Sequence, residues 1–337
     1  MLRDITVSHA PHIHQPLSTR RVMIDVIIGL VPAMIAAGYF FRLHAVLLIG
    51  TCVLACVATE SLCGLIRKKP NSLGDLSAVV TGIILALSLP PSLPIWAAVI
   101  GSCFAIAIGK MVFGGLGANI FNPAMVGRAF LTASFGMLMT TWTVPATVDP
   151  AMRKIAPENL IEARTQATPL AWSKMAIKDK NGADIYNERL FKVTVTGAVG
   201  GCLGETSVLA LLAGGLYLLI RRTINFHVPL AVLLSAFLFA AICHLVDPDA
   251  YIQPLFHLAG GAMLLGAFFI ATDPVTAPLT GRGKWIFGAG VGTITMLIRI
   301  VGEYPEGMMF SVLLMNAVTP LIDRLCRPIP AGGKPGV

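Results

Sequence analysis

Charged residues are scarce in this chain. Asp, Glu, Lys and Arg make up 12% of its 337 residues, about half of the roughly 25% found in soluble domains, while 55% are hydrophobic. That balance excludes an ordinary water-soluble globule and fits an integral membrane protein. Acidic residues are the scarcer kind, 17 against 25 basic ones, which leaves a formal charge of +8. The basic residues punctuate apolar stretches instead of forming a patch, so nucleic acid is not an expected partner. A cleavable leader is not expected either. The first twenty residues are polar, hold three histidines and end just before Arg21, with no apolar core ahead of a small-residue cleavage site.

Metal-ligand spacings are absent too. Cys52, Cys56, Cys63, Cys103, Cys202, Cys243 and Cys326 form no C-x-x-C pair and no Cys/His cluster. Six lie inside apolar stretches and Cys326 just beyond the last, as expected of small membrane-core residues and not of iron–sulfur ligands. His9, His12 and His14 are interleaved with Pro11 and Pro16, so they cannot share a helix face, and no metal site is expected there.

What is present is a series of apolar runs. A crossing needs about 20 residues, and ten candidates follow one another: 22–41, 45–66, 75–90, 94–113, 121–140, 196–220, 228–246, 251–271, 284–301 and 307–323. The third is short and is followed by Pro90 and Pro91, the signature of a broken helix lining a site. The expected fold is all-α, a polytopic membrane protein of about ten helices in two five-helix halves, 22–140 and 196–323. Residues 1–21 and 324–337 form the tails, and 141–195 is a long polar loop between the halves. Lys and Arg in the tails and short loops (Arg3, Arg20, Arg21, Arg67, Lys68, Lys69, Lys110, Arg128, Arg221, Arg222, Arg282, Lys284, Arg324 and Arg327) fall on one side, against Arg42 on the other, with Arg299 near the end of its span. By the positive-inside rule both termini are then cytoplasmic. The 141–195 loop faces outward despite eight Lys/Arg against six Asp/Glu, because long segments cross largely regardless of charge. Leu73-Gly74-Asp75-Leu76-Ser77 is echoed by Leu203-Gly204-Glu205-Thr206-Ser207, and Ala118 to Pro123 loosely by Ala250 to Pro254. The copies start from opposite sides, so the halves are expected to be inverted repeats with a site near midplane.

Ionisable groups within spans are costly unless paired or wet. Asp25, Glu60 and Glu303 lie near span ends, where headgroups would accommodate them. Asp75, Glu205 and Asp273 are harder to place that way, because each adjoins Gly, Ser, Thr or Pro, where a helix opens. Three irregular stretches offer ligand-lining backbone: Gly114 to Ala124, with Asn119 and Asn122; Ala271 to Pro278, with Asp273; and Gly302 to Gly307. Glycines there permit close ligand approach, and Pro123 suits the first turn of a helix.

The polar loop contains Glu162-Ala163-Arg164-Thr165-Gln166-Ala167-Thr168-Pro169-Leu170. This run, with Gly-Ala-Asn-Ile-Phe-Asn-Pro-Ala, Gly-Glu-Thr-Ser, Thr-Asp-Pro-Val-Thr-Ala-Pro and Tyr-Pro-Glu-Gly, resembles the NqrB/RnfD family over nearly the whole chain, from about His12 to Asp323. These are membrane flavin subunits of the sodium-pumping NADH:quinone reductase and of the Rnf ferredoxin:NAD+ complex. The compact length looks like the Rnf branch. The family's acceptor is usually Asp-Gly-x-Ser/Thr-Gly-Ala-Thr; here Glu162, Ala163 and Thr165 depart mildly, Gln166 replaces the second glycine, and Ala167-Thr168 is retained.

The resemblance implies a set of roles. Thr168 carries FMN through a phosphoester made by a flavin transferase. Asn119, Asn122 and Asp273 hold a non-covalent riboflavin nearer the cytoplasm. Gly204, Glu205, Thr206 and Ser207 lie against the FMN ring. Electrons pass between the two flavins as Na+ or H+ moves across a bacterial inner membrane. The implied partners are the other Rnf proteins: RnfG, which bears a periplasmic FMN, RnfA and RnfE in the membrane, and the iron–sulfur proteins RnfB and RnfC. A urea-transporter-like channel, a secondary carrier or a cofactor-free anchor would share the architecture.

Overall fold

The computed structural model describes residues 18–68, 72–142, 170–171, 173–174, 177, 191, 194–195, 200–205, 207–302, 304 and 306–327. Thr168, Thr206, Glu303, the histidines of the N-terminal tail and most of the 141–195 loop lie outside the described residues. Every regular element among those described is helical.

Helix α1 runs from Thr19 to Ile66, capped by the Ser18 hydroxyl, which accepts the Arg21 N–H. At 48 residues it would measure about 72 Å if straight, more than twice the hydrocarbon thickness of about 30 Å. It is not straight: Arg42 has φ 57° and ψ −143°. A Cβ on Gly38 would lie 3.7 Å from Val46, whereas residues eight apart in a straight helix are separated by about 12 Å. The chain therefore turns back sharply at Arg42, giving two arms that correspond to the first two expected spans.

The remaining elements are α2 (Ser77–Leu87), α3 (Ile95–Ile106) continued by a π-helix (Ala107–Met111), α4 (Pro123–Ser134) and α5 (Gly136–Met139). They are followed by α6 (Val208–Ile220), α7 (His227–Val246), α8 (Pro254–Ala259) and α9 (Met263–Leu265), the last continued by a second π-helix (Gly266–Ile270). The chain ends in α10 (Gly281–Ile300) and α11 (Met308–Leu325). Three helices are long and apolar enough to cross a membrane among the described residues: Thr19–Ile66, His227–Val246 and Met308–Leu325.

Several expected spans are interrupted. The third is helical only over Ser77–Leu87 and is introduced by a 3-10 turn, Leu73–Asp75, with Leu76 in the left-handed region at φ 64°. The sixth likewise opens with a 3-10 turn, Leu203–Glu205, and its helix starts only at Val208, with the Ser207 hydroxyl capping the Ala210 N–H. Apolar composition alone does not show these breaks; at the second, Ser207 in the cap position does. The fifth breaks at Phe135 and the eighth between Ala259 and Met263. Helix α2 buries ten of its eleven residues. A short helix apolar on every side belongs inside a bundle, not against lipid.

Small residues set how closely the helices approach. A Cβ on Gly82 of α2 would fall 2.7 Å from the Val53 Cα in the second arm of α1. One on Gly214 of α6 would collide with the Gly29 carbonyl oxygen in the first arm. Between α7 and α10, Gly292 abuts the Val232 carbonyl in the same way, with no space left for a Cβ. Backbone contacts this close let α2 sit inside the bundle, where its two ends frame two polar sites.

Candidate functional site

The first site is a cleft at the N-terminal end of α2. Its apolar walls include Val26 of α1, Ile84 of α2, Leu218 of α6 and Phe268 and Phe269 of the second π-helix. Ser77, Lys110, Asn119, Asn122, Thr223 and Asp273 supply polar groups. Both π-helices contribute to it: an extra residue per turn re-aims Lys110 in one and the two phenylalanines in the other, a distortion that recurs at functional sites.

Asn119, Asn122 and Asp273 come from separate stretches and line this same cleft. Asn122 caps α4, its side-chain oxygen accepting the Met125 N–H at 3.3 Å. Its own N–H donates to Asn316 Oδ1 at 3.2 Å, and Asn316 Nδ2 donates to the Thr276 carbonyl at 3.3 Å. Asp273 accepts the Val275 N–H at 3.1 Å and the Thr276 hydroxyl at 3.2 Å. Asn119 donates to the Phe121 carbonyl at 3.1 Å, while its buried Oδ1 has no hydrogen-bond partner among the described residues. A buried acceptor left this way is costly and fits a ligand that brings an N–H donor, as the imide edge of an isoalloxazine does. Apolar walls with a few polar groups suit a heteroaromatic ring.

Lys110 and Glu60 carry a correction. Lys110 counts as a loop lysine in the charge-based topology and Glu60 as a headgroup residue, yet they form a buried ion pair at 2.7 Å, with side chains 1% and 0% exposed. Asp25 is likewise no headgroup residue. It accepts hydrogen bonds from Tyr217, Arg221 and Thr223 and ties α1 to the end of α6 beside the cleft. Arg128, also counted as a loop cation, is buried next to Glu205. Paired buried cations report local chemistry and not sidedness.

The second site lies at the other end of α2, about 15 Å from Ser77 by the helical rise over ten residues. There the Leu203 N–H donates to the Leu89 carbonyl at 3.0 Å, and Gly204 sits against Leu87 with 2.8 Å left for a Cβ. Glu205 accepts the Cys202 N–H at 3.3 Å and lies 4.0 Å from Arg128 Nη2. Nearby, Arg299 donates to the carbonyls of His257 and Gly260 and to Glu306 Oε2 at 3.0 Å. Gly261 has φ +69° and a Cβ there would strike Glu306 Oε2, so only glycine fits that turn. Burial alone raises a carboxyl's pKa. At Glu306 the Arg299 and Arg128 charges, with the N–H groups of Met308 and Ala262, outweigh it and hold the group below the ordinary carboxylate range. Arg128 Nη1, Glu205 Oε1, His257 Nδ1 and Arg299 Nε have no hydrogen-bond partner among the described residues. Leu170, two residues after Thr168 in sequence, is buried against Gly260 and Gly261.

Of the FMN-side residues, Gly204, Glu205 and Ser207 are thus together at this end. The Ser207 hydroxyl is taken up by its helix cap. His257, Asn316 and the phenylalanines of the π-helix escape sequence reasoning, whereas Glu306 lies within the Gly302 to Gly307 stretch expected to line a ligand. An isolated Asn within an apolar helix, as at 316, was the signal that could have pointed to that residue.

The chain matches the model of the NQR2, RnfD, RnfE family over residues 6–332, and it belongs to that family. It is 44% identical over 325 residues to the D component of the Na(+)-translocating ferredoxin:NAD(+) oxidoreductase complex of Acetobacterium woodii, covering 96% of this chain and 94% of the relative. It is 39% identical over 334 residues to the D component of the proton-translocating ferredoxin:NAD(+) oxidoreductase complex of Clostridium ljungdahlii, covering 98% and 96%. Identity to the D component of the ion-translocating oxidoreductase complex of Yersinia pseudotuberculosis is 37% over 351 residues, covering 98% and 99%. With its apolar helices, this marks a membrane protein.

Proposed function

We propose that the chain is the membrane flavin subunit of a ferredoxin:NAD+ oxidoreductase complex that moves Na+ or H+. The cleft holds a non-covalent riboflavin, and Thr168 carries FMN near the Glu205–Arg128–Arg299–Glu306 end. The observation that carries this reading is the convergence of Asn119, Asn122 and Asp273 on one cleft, with a buried acceptor, Asn119 Oδ1, turned to no other residue described. Bound there, a flavin supplies the capacity to take and give electrons. The chain's own residues orient the ring, keep water out and set the charge around it. The docking of Leu170 on Gly260 and Gly261 supports placing the FMN-bearing segment at the second end.

On this reading the chain crosses the inner membrane ten times in two inverted halves, with both termini in the cytoplasm and the 141–195 loop outside. The parallel 3-10 turns at Leu73–Asp75 and Leu203–Glu205, each leading into a short apolar helix, support the inverted arrangement. RnfG would exchange electrons with FMN outside. RnfB and RnfC would serve the cytoplasmic end, and RnfA and RnfE would be membrane neighbours. A flavin transferase would mature Thr168.

Fluorescence of the denatured band on a gel tests the covalent flavin. A fluorescent wild-type band that goes dark in Thr168→Val is the expected result. A dark wild-type band from cells that contain the transferase favours a channel or carrier.

A further inference from the structure

The hydroxyl protons around the cleft are already engaged within the protein. Thr81 donates to the Ser77 carbonyl at 2.9 Å, Ser77 to Asp75 Oδ1 at 2.5 Å, Thr223 to Asp25 Oδ2 at 3.0 Å and Thr272 to the Phe268 carbonyl at 2.6 Å. All four residues line the cleft, and what their side chains still offer a ligand is lone pairs. Lys110 is the one cation among the described lining residues. Its three ammonium hydrogens go to Glu60 Oε1 and Oε2 at 2.8 and 2.7 Å and to Ser77 Oγ at 2.6 Å, and Glu60 cancels its charge. Asp273 accepts the Val275 N–H and the Thr276 hydroxyl and pairs with no cation among the described residues. Burial pushes its carboxyl up from the ordinary value, and those two donors oppose the shift. Asn119 Oδ1 is a further acceptor without a donor.

The cleft is therefore rich in acceptors and has no uncompensated positive charge. A ligand that brings O–H and N–H groups suits such a lining. A phosphate ester does not. At neutral pH it carries close to two negative charges on acceptor oxygens, and burying it without a cation to pair with is costly. From this inventory we infer that the cleft selects an uncharged, hydroxyl-bearing flavin over its phosphate ester, and that Asp273 and the Glu60–Lys110 pair set the choice. The inference rests on reading the cleft as a flavin pocket. Asp273 faces the ligand and repels a phosphate directly. Glu60 is a positioning residue: it acts through Lys110, whose charge and protons it holds away from the ligand. The other end of α2 differs, since Arg128 Nη1 and Arg299 Nε there are cationic N–H donors without a partner among the described residues. The two ends thus suit flavins of different charge.

The test is a competition for binding. The full-length chain is purified in detergent at mildly alkaline pH in an equimolar excess of riboflavin and FMN. Unbound flavin is removed by gel filtration, and the acid-released flavins are separated and counted; flavin on Thr168 stays with the protein. Wild type should retain riboflavin over FMN by about tenfold or more. Riboflavin acetylated at the end of its ribityl chain, which adds bulk without charge, should be retained far better than FMN. Asp273→Asn and Glu60→Gln should each shift the ratio several-fold towards FMN, whereas Asp273→Glu, which keeps the charge, should not. A merely structural loss would lower both flavins together and leave their ratio unchanged. Equal retention of riboflavin and FMN by wild type, or exclusion of the acetyl ester along with FMN, overturns selection by charge while the flavin pocket stands. An unchanged ratio in both Asp273→Asn and Glu60→Gln overturns the assignment to these residues. Should both variants hold no flavin, the acetyl ester on wild type decides alone. A wild type that retains no flavin sinks the flavin-pocket reading itself, and the selection falls with it.

Discussion

Asn316 accepts the backbone N–H of Asn122 at 3.2 Å from a helix 194 residues further along the chain. One side-chain amide thereby fixes α11 to the start of α4 and, through Thr276, to the loop that carries Asp273. Replacing it by leucine leaves a buried N–H without an acceptor, a loss of about 1–3 kcal/mol. The Thr276 carbonyl keeps its bond from Thr319. Asn316→Leu is expected to lower the thermal midpoint in detergent and to reduce riboflavin recovered by acid release, while flavin fluorescence on Thr168 persists.

The backbone contact between α1 and α6 gives a second expectation. At Gly214 there is no room for a Cβ, which would overlap the Gly29 carbonyl oxygen, whereas Gly50 on the same long helix α1 has nothing within 4 Å. Gly214→Val should abolish folded protein in a detergent-stability assay. Gly50→Ala should match or slightly exceed wild type, by helix propensity of about 1 kcal/mol at most.

At the other end of α2, Glu306 offsets the buried Arg299. Removing one partner of such a pair costs about 3–5 kcal/mol, so Glu306→Gln should melt well below wild type at pH 7. The folded pKa is depressed below the ordinary carboxylate value. The stabilisation is therefore fully present above that ordinary value and is lost as pH falls through the lower folded one. The difference between wild type and Glu306→Gln should shrink on acidification in that range; a difference constant with pH would contradict the pairing.

Much of this was legible in the sequence, for physical reasons that also mark where legibility stopped. Apolar length located the helices, because a bilayer demands it. Gly/Pro punctuation located two stretches that meet at the cleft and a third, Gly302 to Gly307, that contributes Glu306 to the other end of α2, because irregular backbone inside a membrane protein must line something. The breaks at Phe135 and after Ala259 were hidden, since short buried helices and spanning ones share a composition. Lys110 and Arg128 misled for a related reason: a cation looks the same in sequence whether it faces water or a buried carboxylate. Only the fold brings Lys110 to Glu60, fifty residues away.

The cleft offers its own check on the predicted ring contacts. Asn119→Leu removes the unpartnered acceptor and one hydrogen bond to the Phe121 carbonyl. Riboflavin binding to the complex should weaken by about tenfold, the equivalent of roughly 1–1.5 kcal/mol for one hydrogen bond, with thermal stability little changed. Full riboflavin retention would remove Asn119 from the site.

Peptide mapping by mass spectrometry on protein matured with its flavin transferase reaches the account's central claim most directly. The peptide containing Thr168 should carry the mass of FMN less one water, and fragmentation should place it on that residue. A fully recovered Thr168 peptide without the addition would contradict the claim that this chain is a flavin-bearing electron carrier.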